Sequence, residues 1–333
     1  MPTDAQLRDA AWVEFEQTTK GWQDVKGYKP DVLAKTHWGR GKAIFDQIGA
    51  TTPIPPQPTT PPLMDMRATR ISALPVSGRG GSETPSTAFD RLTYQCGDIS
   101  LVADPRWTQV FRVHMHQNAD WYASSHNPWG SPADPWHQVP NSGEIINPRA
   151  IADMEEAWYA ESVRLLSPFH AISRAAGWGI VGQYGYGTLV GGTTVSPPVS
   201  IAVEAEGVGM DCDGGVFSLG TWTGQYHKRL NFVPIASVTD KWLDVVIGVR
   251  WTMSANGMVQ FATRCRDNGE TAFKTWHHDE GVPTAQSIGT LDEKQGGYFG
   301  LFGKPQVVGW ETSFDLRGTT IHRTEADAIA ALA

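Results

Sequence analysis

The 333-residue sequence predicts a mainly-β protein, an antiparallel β-sandwich with a small N-terminal α-helical hairpin and a short C-terminal helix. Three observations favour this class. Short runs of β-branched and aromatic residues are separated by turn-forming residues, and the chain contains 35 Gly and 22 Pro. Strands do not alternate regularly with helices, as a parallel sheet would require. A proline-rich segment separates the first part of the chain from the rest.

Residues 1–50 are predicted to form the helical hairpin. Thr3 and Gln6 fit a capping box, and apolar residues follow at helical spacing. A second helix is predicted to begin at Thr36 and to end at Gly49, which would act as its C-terminal cap. Two short helices bury too little apolar surface to be stable alone. We therefore expect this hairpin to dock on another surface.

The remaining chain is predicted to consist of a Pro-rich linker (51–65), the sandwich (66–322) and the C-terminal helix (323–333). The clearest local signal is Asn256-Gly257 between two apolar runs, which is typical of a tight β-hairpin. Strands are predicted at Phe111–Met115, Trp158–Leu166, Gly179–Tyr184, Val199–Glu206, Val216–Trp222, Leu243–Thr252, Met258–Cys265, Tyr298–Phe302 and Trp310–Leu316.

Composition excludes several functional classes. A formal net charge of -8 without a basic run argues against a nucleic-acid partner. No apolar run is long enough for membrane insertion, and the N-terminus lacks the features of a secretory signal. We therefore expect synthesis in a cytoplasm and, for any extracellular role, release by lysis.

No cofactor or metal site is predicted. The three cysteines, Cys96, Cys212 and Cys265, are far apart and are interpreted as buried free thiols. The segment Asp211-Cys212-Asp213 is interpreted as an acidic turn, because a calcium loop needs more oxygen ligands. The segment His277–Glu280 is interpreted as an exposed loop, because consecutive histidines on an extended chain point apart.

Several segments between about residues 95 and 320 occur in the order found in heparin-lyase-I-like polysaccharide lyases. They include Asn147–Ala150, Gln183–Gly185 and the run from Lys241 to Lys304. This ordered set resembles the concanavalin-A-like jelly roll of that family. The resemblance implies a concave sheet that holds an acidic polysaccharide.

β-Elimination on a uronate needs a base, a proton donor and groups that neutralise the carboxylate. The candidates for these roles are Tyr298, His227, Gln183, Arg149 and Tyr184. The match to the family is incomplete. Gly185 stands where the family usually has the histidine of Gln-Trp-His, and Gly300 stands where it has the lysine of Tyr-Phe-Lys. The resemblance therefore supports the fold and leaves the elimination chemistry in doubt.

Aromatic and basic residues supply candidates for glycan contact. Arg112, His114 and His116 share one face of a predicted strand, which could line a groove, bind a metal or be a solvent-facing polar stripe. The segment Gln117–Pro148 is predicted to be a long loop, and its tryptophans could stack on sugar rings, cap the sandwich edge or form a subunit contact. The candidates are Trp121, Trp129 and Trp136 from this segment, and Tyr186, which follows the predicted strand Gly179–Tyr184.

Residues 1–50 show a second resemblance, carried by Glu14–Gly21 and Thr36–Ala43. These elements resemble a module of tail-associated proteins from phages that infect actinobacteria, which implies an attachment role. Together, the two resemblances imply a phage minor tail or tail-tip protein that presents a glycan-binding jelly roll to the host cell envelope. The implied partners are other tail proteins and an envelope polysaccharide, and a homotrimer is expected by analogy. The alternatives are an active polysaccharide lyase and a purely structural tail protein.

Overall fold

The computed structural model describes residues 60–70, 91–95, 97–116, 138–186, 197–218, 221–302 and 311–333. All but the last of these residues lie in one compact unit, Pro58–Leu332. The predicted helical hairpin and most of the Pro-rich linker fall outside the described residues, and so do Trp121, Trp129 and Trp136. Their predicted roles therefore stay predictions.

The described residues form sixteen strands and two short α-helices. The strands are β1 (Met64–Asp65), β2 (Arg91–Gln95), β3 (Gly97–Asp104), β4 (Thr108–His116), β5 (Gln138–Ile151), β6 (Glu155–Leu165), β7 (Gly177–Tyr186), β8 (Val199–Glu204), β9 (Gly207–Ser218), β10 (Thr221–Val233), β11 (Trp242–Trp251), β12 (Gly257–Arg264), β13 (Lys274–Val282), β14 (Gly289–Phe302), β15 (Glu311–Leu316) and β16 (Thr320–His322). The helices are α1 (Ile235–Val238) and α2 (Glu325–Ala331). None of the described helices has the length and apolar character needed to span a bilayer.

The strands assemble into two antiparallel sheets. Sheet A has the order β13-β12-β11-β6-β15-β4-β3, with β16 also pairing with β6 and β1 pairing with β16. Sheet B has the order β10-β9-β8-β7-β14-β5-β2. Apolar side chains of both sheets meet in one shared core. The predicted antiparallel β-sandwich is therefore confirmed.

Alternation along the strands determines which side chains enter the core. In β11, Val245, Ile247 and Val249 belong to the core, whereas Asp244 and Val246 point to the opposite face. The largest fully buried side chains of the core include Phe111, Tyr159, Tyr184, Trp251, Phe261, Phe299 and Phe314. Burying each such ring contributes about 2 kcal/mol to folding, so the interior between the sheets dominates the stability of the sandwich.

Helix α2 packs on the outer face of sheet A. Ala328 and Leu332 lie against a small apolar cluster that includes Trp158 and Val246. The side chain of Thr324 caps the helix by accepting a hydrogen bond from the backbone of Asp327. The predicted C-terminal helix is confirmed, and it covers part of this face.

The predicted hairpin between β11 and β12 is also confirmed, since the two strands pair antiparallel. Its turn lies at residues 253–256, and Gly257 is already the first residue of β12. Cys212 and Cys265 are buried free thiols, as expected, and Cys96 lies outside the described residues. The hairpin and the buried thiols could both be predicted from the residue types at these positions.

Four local predictions were wrong. His277–Glu280 belongs to strand β13, because it pairs along β12, and is not a loop. Asp211–Asp213 lies within strand β9 and is not a turn. The predicted strand Val216–Trp222 is divided between β9 and β10, which pair with each other. Part of the predicted loop Gln117–Pro148 belongs to β5, which begins at Gln138.

Candidate functional site

Outward-facing polar and aromatic residues gather on the middle strands of sheet B. On β14, Leu291 and Phe299 enter the core, so Lys294 and Tyr298 project from the outer face. Strand β14 is flanked by β5 and β7. Residues from three neighbouring strands can therefore meet on this surface.

Gln183 of β7 is the centre of this group. It lies opposite Lys294 in the strand register, and its side-chain nitrogen donates a hydrogen bond to Glu144 of β5. The ammonium of Lys294 lies 3.6 Å from the ring centroid of Tyr186. The rings of Trp178 and Tyr298 have centroids 5.8 Å apart. We call this set, Glu144, Trp178, Gln183, Tyr186, Lys294 and Tyr298, the Gln183 cluster.

Burial alters the pKa values of two residues in the cluster. Burial raises the pKa of Glu144, while the charge of Lys294 and the hydrogen bond from Gln183 act in the opposite direction. Burial also raises the pKa of Tyr298, and the negative charge of Glu144 adds to this shift. The Tyr298 hydroxyl therefore stays protonated at neutral pH, so it can donate a hydrogen bond but cannot act as a ready base.

Gly185 leaves no room for a side chain. Its φ is +68°, and a Cβ atom there would lie 2.6 Å from the ring of Trp251. Its backbone N–H donates to Glu293 at 3.0 Å. A histidine at this position would need both a different backbone conformation and a displaced Trp251. The local packing therefore does not accommodate the histidine that the lyase family usually has at this position.

Gly300 is restricted in a different way. A Cβ atom there would lie 2.0 Å from the indole ring of Trp178, which covers this position on the neighbouring strand. The space that a lysine would need is already filled. Lys294, on the same face of β14, supplies an ammonium group to the cluster instead.

Two candidate residues lie inside the sandwich instead of on this surface. Arg149 contacts Glu293 at 2.8 Å and the hydroxyl of Tyr159 at 3.0 Å. Tyr184 is buried, with its ring centroid 4.3 Å from that of Tyr159. Gln183 and Tyr184 are adjacent in a strand and point to opposite faces. The structure therefore does not bring Arg149 or Tyr184 to the Gln183 cluster.

His227 is also distant from the cluster. It projects from β10, which lies three strands from β7 in sheet B. Three strand spacings correspond to about 14 Å across the sheet. Its Nδ1 atom contacts Asp213, and the side chain is largely exposed. His227 and Tyr298 therefore do not form an acid–base pair.

Arg112 and His114 project from the outer face of sheet A. The guanidinium of Arg112 binds both carboxylate oxygens of Asp315, at 2.8 and 3.0 Å. The Nδ1 atom of His114 lies 2.8 Å from the hydroxyl of Ser313. The structure therefore places these two candidates on the opposite side of the sandwich from the Gln183 cluster.

Sequence reasoning missed Glu144, Trp178 and Lys294. Lys294 was overlooked because the strand was predicted to begin at Tyr298, whereas β14 begins at Gly289. The even spacing between Lys294 and Tyr298 was the available signal, since such residues share one face of a strand. Glu144 lies in the segment predicted to be a loop, and Trp178 directly precedes the predicted strand Gly179–Tyr184 with no comparable spacing signal.

The described residues contain no group of three or more side chains arranged to hold a metal ion. The Gln183 cluster combines one amide, one carboxyl, one ammonium and three aromatic rings. Such a set can bind a ligand that offers both hydroxyl groups and apolar ring faces.

Comparison with solved structures identifies the type of sandwich. An endo-β-1,4-glucuronan lyase from the fungus Trichoderma reesei aligns with a TM-score of 0.52 and 15% identity, over 74% of this chain and 95% of that one. The chain has a lyase-like jelly-roll fold. At this identity the likeness shows the fold alone.

Two further structures align at lower scores. They are a PL-14 alginate lyase from Aplysia kurodai (TM-score 0.43, 12% identity, 80% of this chain and 100% of that one) and a GH131 β-glucanase catalytic domain from Podospora anserina (0.37, 13%, 70% and 85%). No family model matches the jelly-roll chain, and no curated protein matches it in sequence.

Proposed function

We propose that the outer face of sheet B binds a cell-envelope glycan through the Gln183 cluster. The observation that carries this proposal is the convergence of Gln183, Lys294 and Tyr298 on one surface with Trp178 and Tyr186. Amide and ammonium groups suit sugar hydroxyls, and aromatic rings suit the apolar faces of sugar rings.

We propose binding without elimination. Removal of the proton next to a uronate carboxylate requires a base close to the bound sugar. Tyr298 has a raised pKa, His227 lies several strands away, and Gly185 replaces the usual histidine. These three observations favour a binding module over an active lyase.

The proposed setting is a phage virion, in which the jelly roll acts as part of a minor tail or tail-tip protein. The support for this setting is the resemblance of residues 1–50 to a phage tail module. Gold-labelled antibodies against the chain should decorate one end of the tail in electron micrographs of purified virions. Virions that lack the chain by mass spectrometry would contradict this assignment.

A glycan array probed with the full chain tests the binding proposal. We expect selective binding of envelope-type glycans, and about tenfold weaker binding after Gln183→Ala or Tyr298→Ala. Tyr298→Phe keeps the ring and should bind within about twofold of the parent. Asn256→Ala, in the exposed turn of sheet A, is the matched control and should leave binding unchanged.

Two results would count against the proposal. The absence of binding to any glycan would favour a purely structural protein. Release of unsaturated uronate from glucuronan or alginate, abolished by Tyr298→Phe, would instead identify an active lyase.

A further inference from the structure

A second polar group lies beside the Gln183 cluster on sheet B. Across the strand register, Gln183 of β7 is followed by Ser200 of β8, Asp211 of β9 and Arg229 of β10. Ser200 and Asp211 alternate with core residues and therefore belong to the outer face. We call the group formed by Arg174, Ser200, Glu204, Asp211, Arg229 and Asn231 the Asp211 cluster.

The Asp211 cluster contains an unusual concentration of unpaired polar atoms. Among the described residues, five of its buried atoms have no hydrogen-bond partner: Ser200 Oγ, Asp211 Oδ1, Asn231 Oδ1, Arg229 Nε and Arg174 Nη2. Of these, Arg229 Nε forms a longer ion pair with Asp211 Oδ2, at 3.5 Å. Ser200 is 0% exposed and Asp211 is 7% exposed. Most buried polar atoms in proteins are paired, so five unpaired atoms on one face indicate a place for a ligand.

The unpaired atoms define the chemistry of that ligand. Two are acceptor oxygens, two are guanidinium nitrogens that donate, and the Ser200 hydroxyl can do both. A sugar hydroxyl also donates and accepts, so a polyhydroxylated ring complements the whole set. A carboxylate would be repelled by the acceptor oxygens of Asp211 and Asn231.

The formal charges of the two clusters cancel when Glu144, Glu204 and Asp211 are all ionised. Glu204 is bound by Arg229 and, at 2.9 Å, by Arg174, and Asp211 lies 3.5 Å from Arg229. Two carboxyl groups thus face two guanidinium groups, as Glu144 faces Lys294 in the Gln183 cluster. Above about pH 7, where Asp211 is ionised, a uronate would therefore gain little net attraction from this face.

We infer that the Asp211 cluster is a second sugar subsite, and that the glycan spanning the two clusters is an uncharged polysaccharide. This inference rests on the proposed function and names its ligand class. Gln183 and Asp211 are two strand spacings apart, about 10 Å, a distance that a short run of sugar units in one chain can span. The glycan runs across the strands of sheet B.

Calorimetric titration of the full chain at about pH 8, where Asp211 is ionised, tests the inference. The probes are oligosaccharides of β-glucan, mannan and arabinogalactan, set against oligosaccharides of alginate and glucuronan. We expect tighter binding of a neutral oligosaccharide, with little dependence on salt because no charge is neutralised.

Ser200→Ala supplies the decisive variant. It removes a buried hydroxyl that has no partner in the free protein, so the melting temperature should stay the same or rise. Binding of the neutral oligosaccharide should weaken about fivefold, because one hydrogen bond to the sugar is lost. The exposed substitution Thr271→Ala is the control and should change neither quantity.

The outcomes separate the inference from the proposed function. Tighter binding of the acidic oligosaccharides, or unchanged binding by Ser200→Ala, would overturn the inference and leave glycan binding in place. The absence of binding to any oligosaccharide would overturn both.

Discussion

The two outer faces of the sandwich use their polar residues differently. On sheet A, the carboxylate of Asp244 accepts hydrogen bonds from Arg106 at 2.9 Å, Ser162 at 2.7 Å and Arg264 at 2.9 Å. Asp315 similarly binds Arg112 and Arg164. The charged groups of this face are therefore largely occupied by one another.

On sheet B, several polar groups in comparable positions are buried without partners, such as the hydroxyl of Ser200 and one oxygen of Asp211. Both faces exclude water from many polar side chains, and both have paired carboxylates: Asp244 and Asp315 on sheet A and Glu204 on sheet B. Among the described residues, four buried polar atoms on or beside sheet A have no hydrogen-bond partner (Asp104 Oδ2, which lies 3.0 Å from Arg164, Arg106 Nη1, Trp107 Nε1 and His322 Nδ1), whereas five lie together in the Asp211 cluster of sheet B. Paired polar groups stabilise the fold, whereas unpaired ones weaken it until a ligand binds. The contrast assigns stability to one face and recognition to the other.

The largest expected effect on this contrast comes from Asp244→Ala. The substitution leaves Arg106 and Arg264 partly buried without their shared carboxylate. We expect the free energy of unfolding to fall by about 4 kcal/mol in urea denaturation. Asp153→Ala, in an exposed turn, should change it by less than about 0.5 kcal/mol. Glycan binding by the folded fraction should persist, and its loss would show that the faces are not independent.

Gly185→Ala tests the support behind the binding face. The new Cβ combines a positive φ with a contact against Trp251, and we expect a loss of about 3 kcal/mol. Gly269 also has a positive φ, but a Cβ atom there would meet nothing within 4 Å. Gly269→Ala should therefore lose only about 1 kcal/mol and bind normally. Equal losses of unfolding free energy in the two variants would show that the contact with Trp251 does not contribute to the effect of Gly185→Ala.

Asp211 makes the stability of the sheet B face dependent on pH. Burial raises the pKa of Asp211 to about 7, opposed by Arg229 and assisted by Glu204. The folded state thus favours the protonated form of Asp211. The stability that this preference contributes is complete below the ordinary aspartate pKa and is lost as pH rises through about 7.

The corresponding variant is Asp211→Asn. Between about pH 4 and pH 7, we expect the parent to lose up to about 1.4 kcal/mol of stability per pH unit from this group, and the variant to show a shallower slope. Glu161, whose pKa is also raised to about 7 by burial, keeps its own slope in both proteins. Parallel pH profiles from denaturation would contradict the assignment.

Thr324→Ala gives the smallest effect. It removes the cap of α2 on sheet A and should lower the free energy of unfolding by about 1 kcal/mol. Thr271→Ala, at an exposed position, is the control variant with which this change in unfolding free energy is compared. A change in glycan affinity after Thr324→Ala would show coupling between the two faces.

Local chemistry predicted the elements that local interactions determine. The hairpin between β11 and β12 and the Thr324 cap depend on neighbours in sequence, and both were predictable. The start of β14 at Gly289 depends on pairing with β5 and β7, which lie far away in the chain. Long-range pairing of this kind leaves little signal in a single sequence.

The same dependence on long-range strand pairing explains which residues of the candidate site could be predicted from the sequence. Gln183 and Tyr298 were found through resemblance to a family, and they lie in the same cluster. Arg149 and Tyr184 were expected to join them, but the alternation of β5 and β7 directs both side chains into the interior. Lys294 could have been found from its spacing to Tyr298, whereas the filling of the Gly300 position by Trp178 required the fold.

The indole of Trp178 over Gly300 bears on attempts to engineer a lyase from this scaffold. A lysine introduced at position 300 would collide with that ring, and a smaller residue at position 178 would leave a void beside the unchanged glycine. Each single change is unfavourable without the other. A screen of point variants would therefore discard both halves of the pair, and a library intended to install this lysine must vary positions 178 and 300 together.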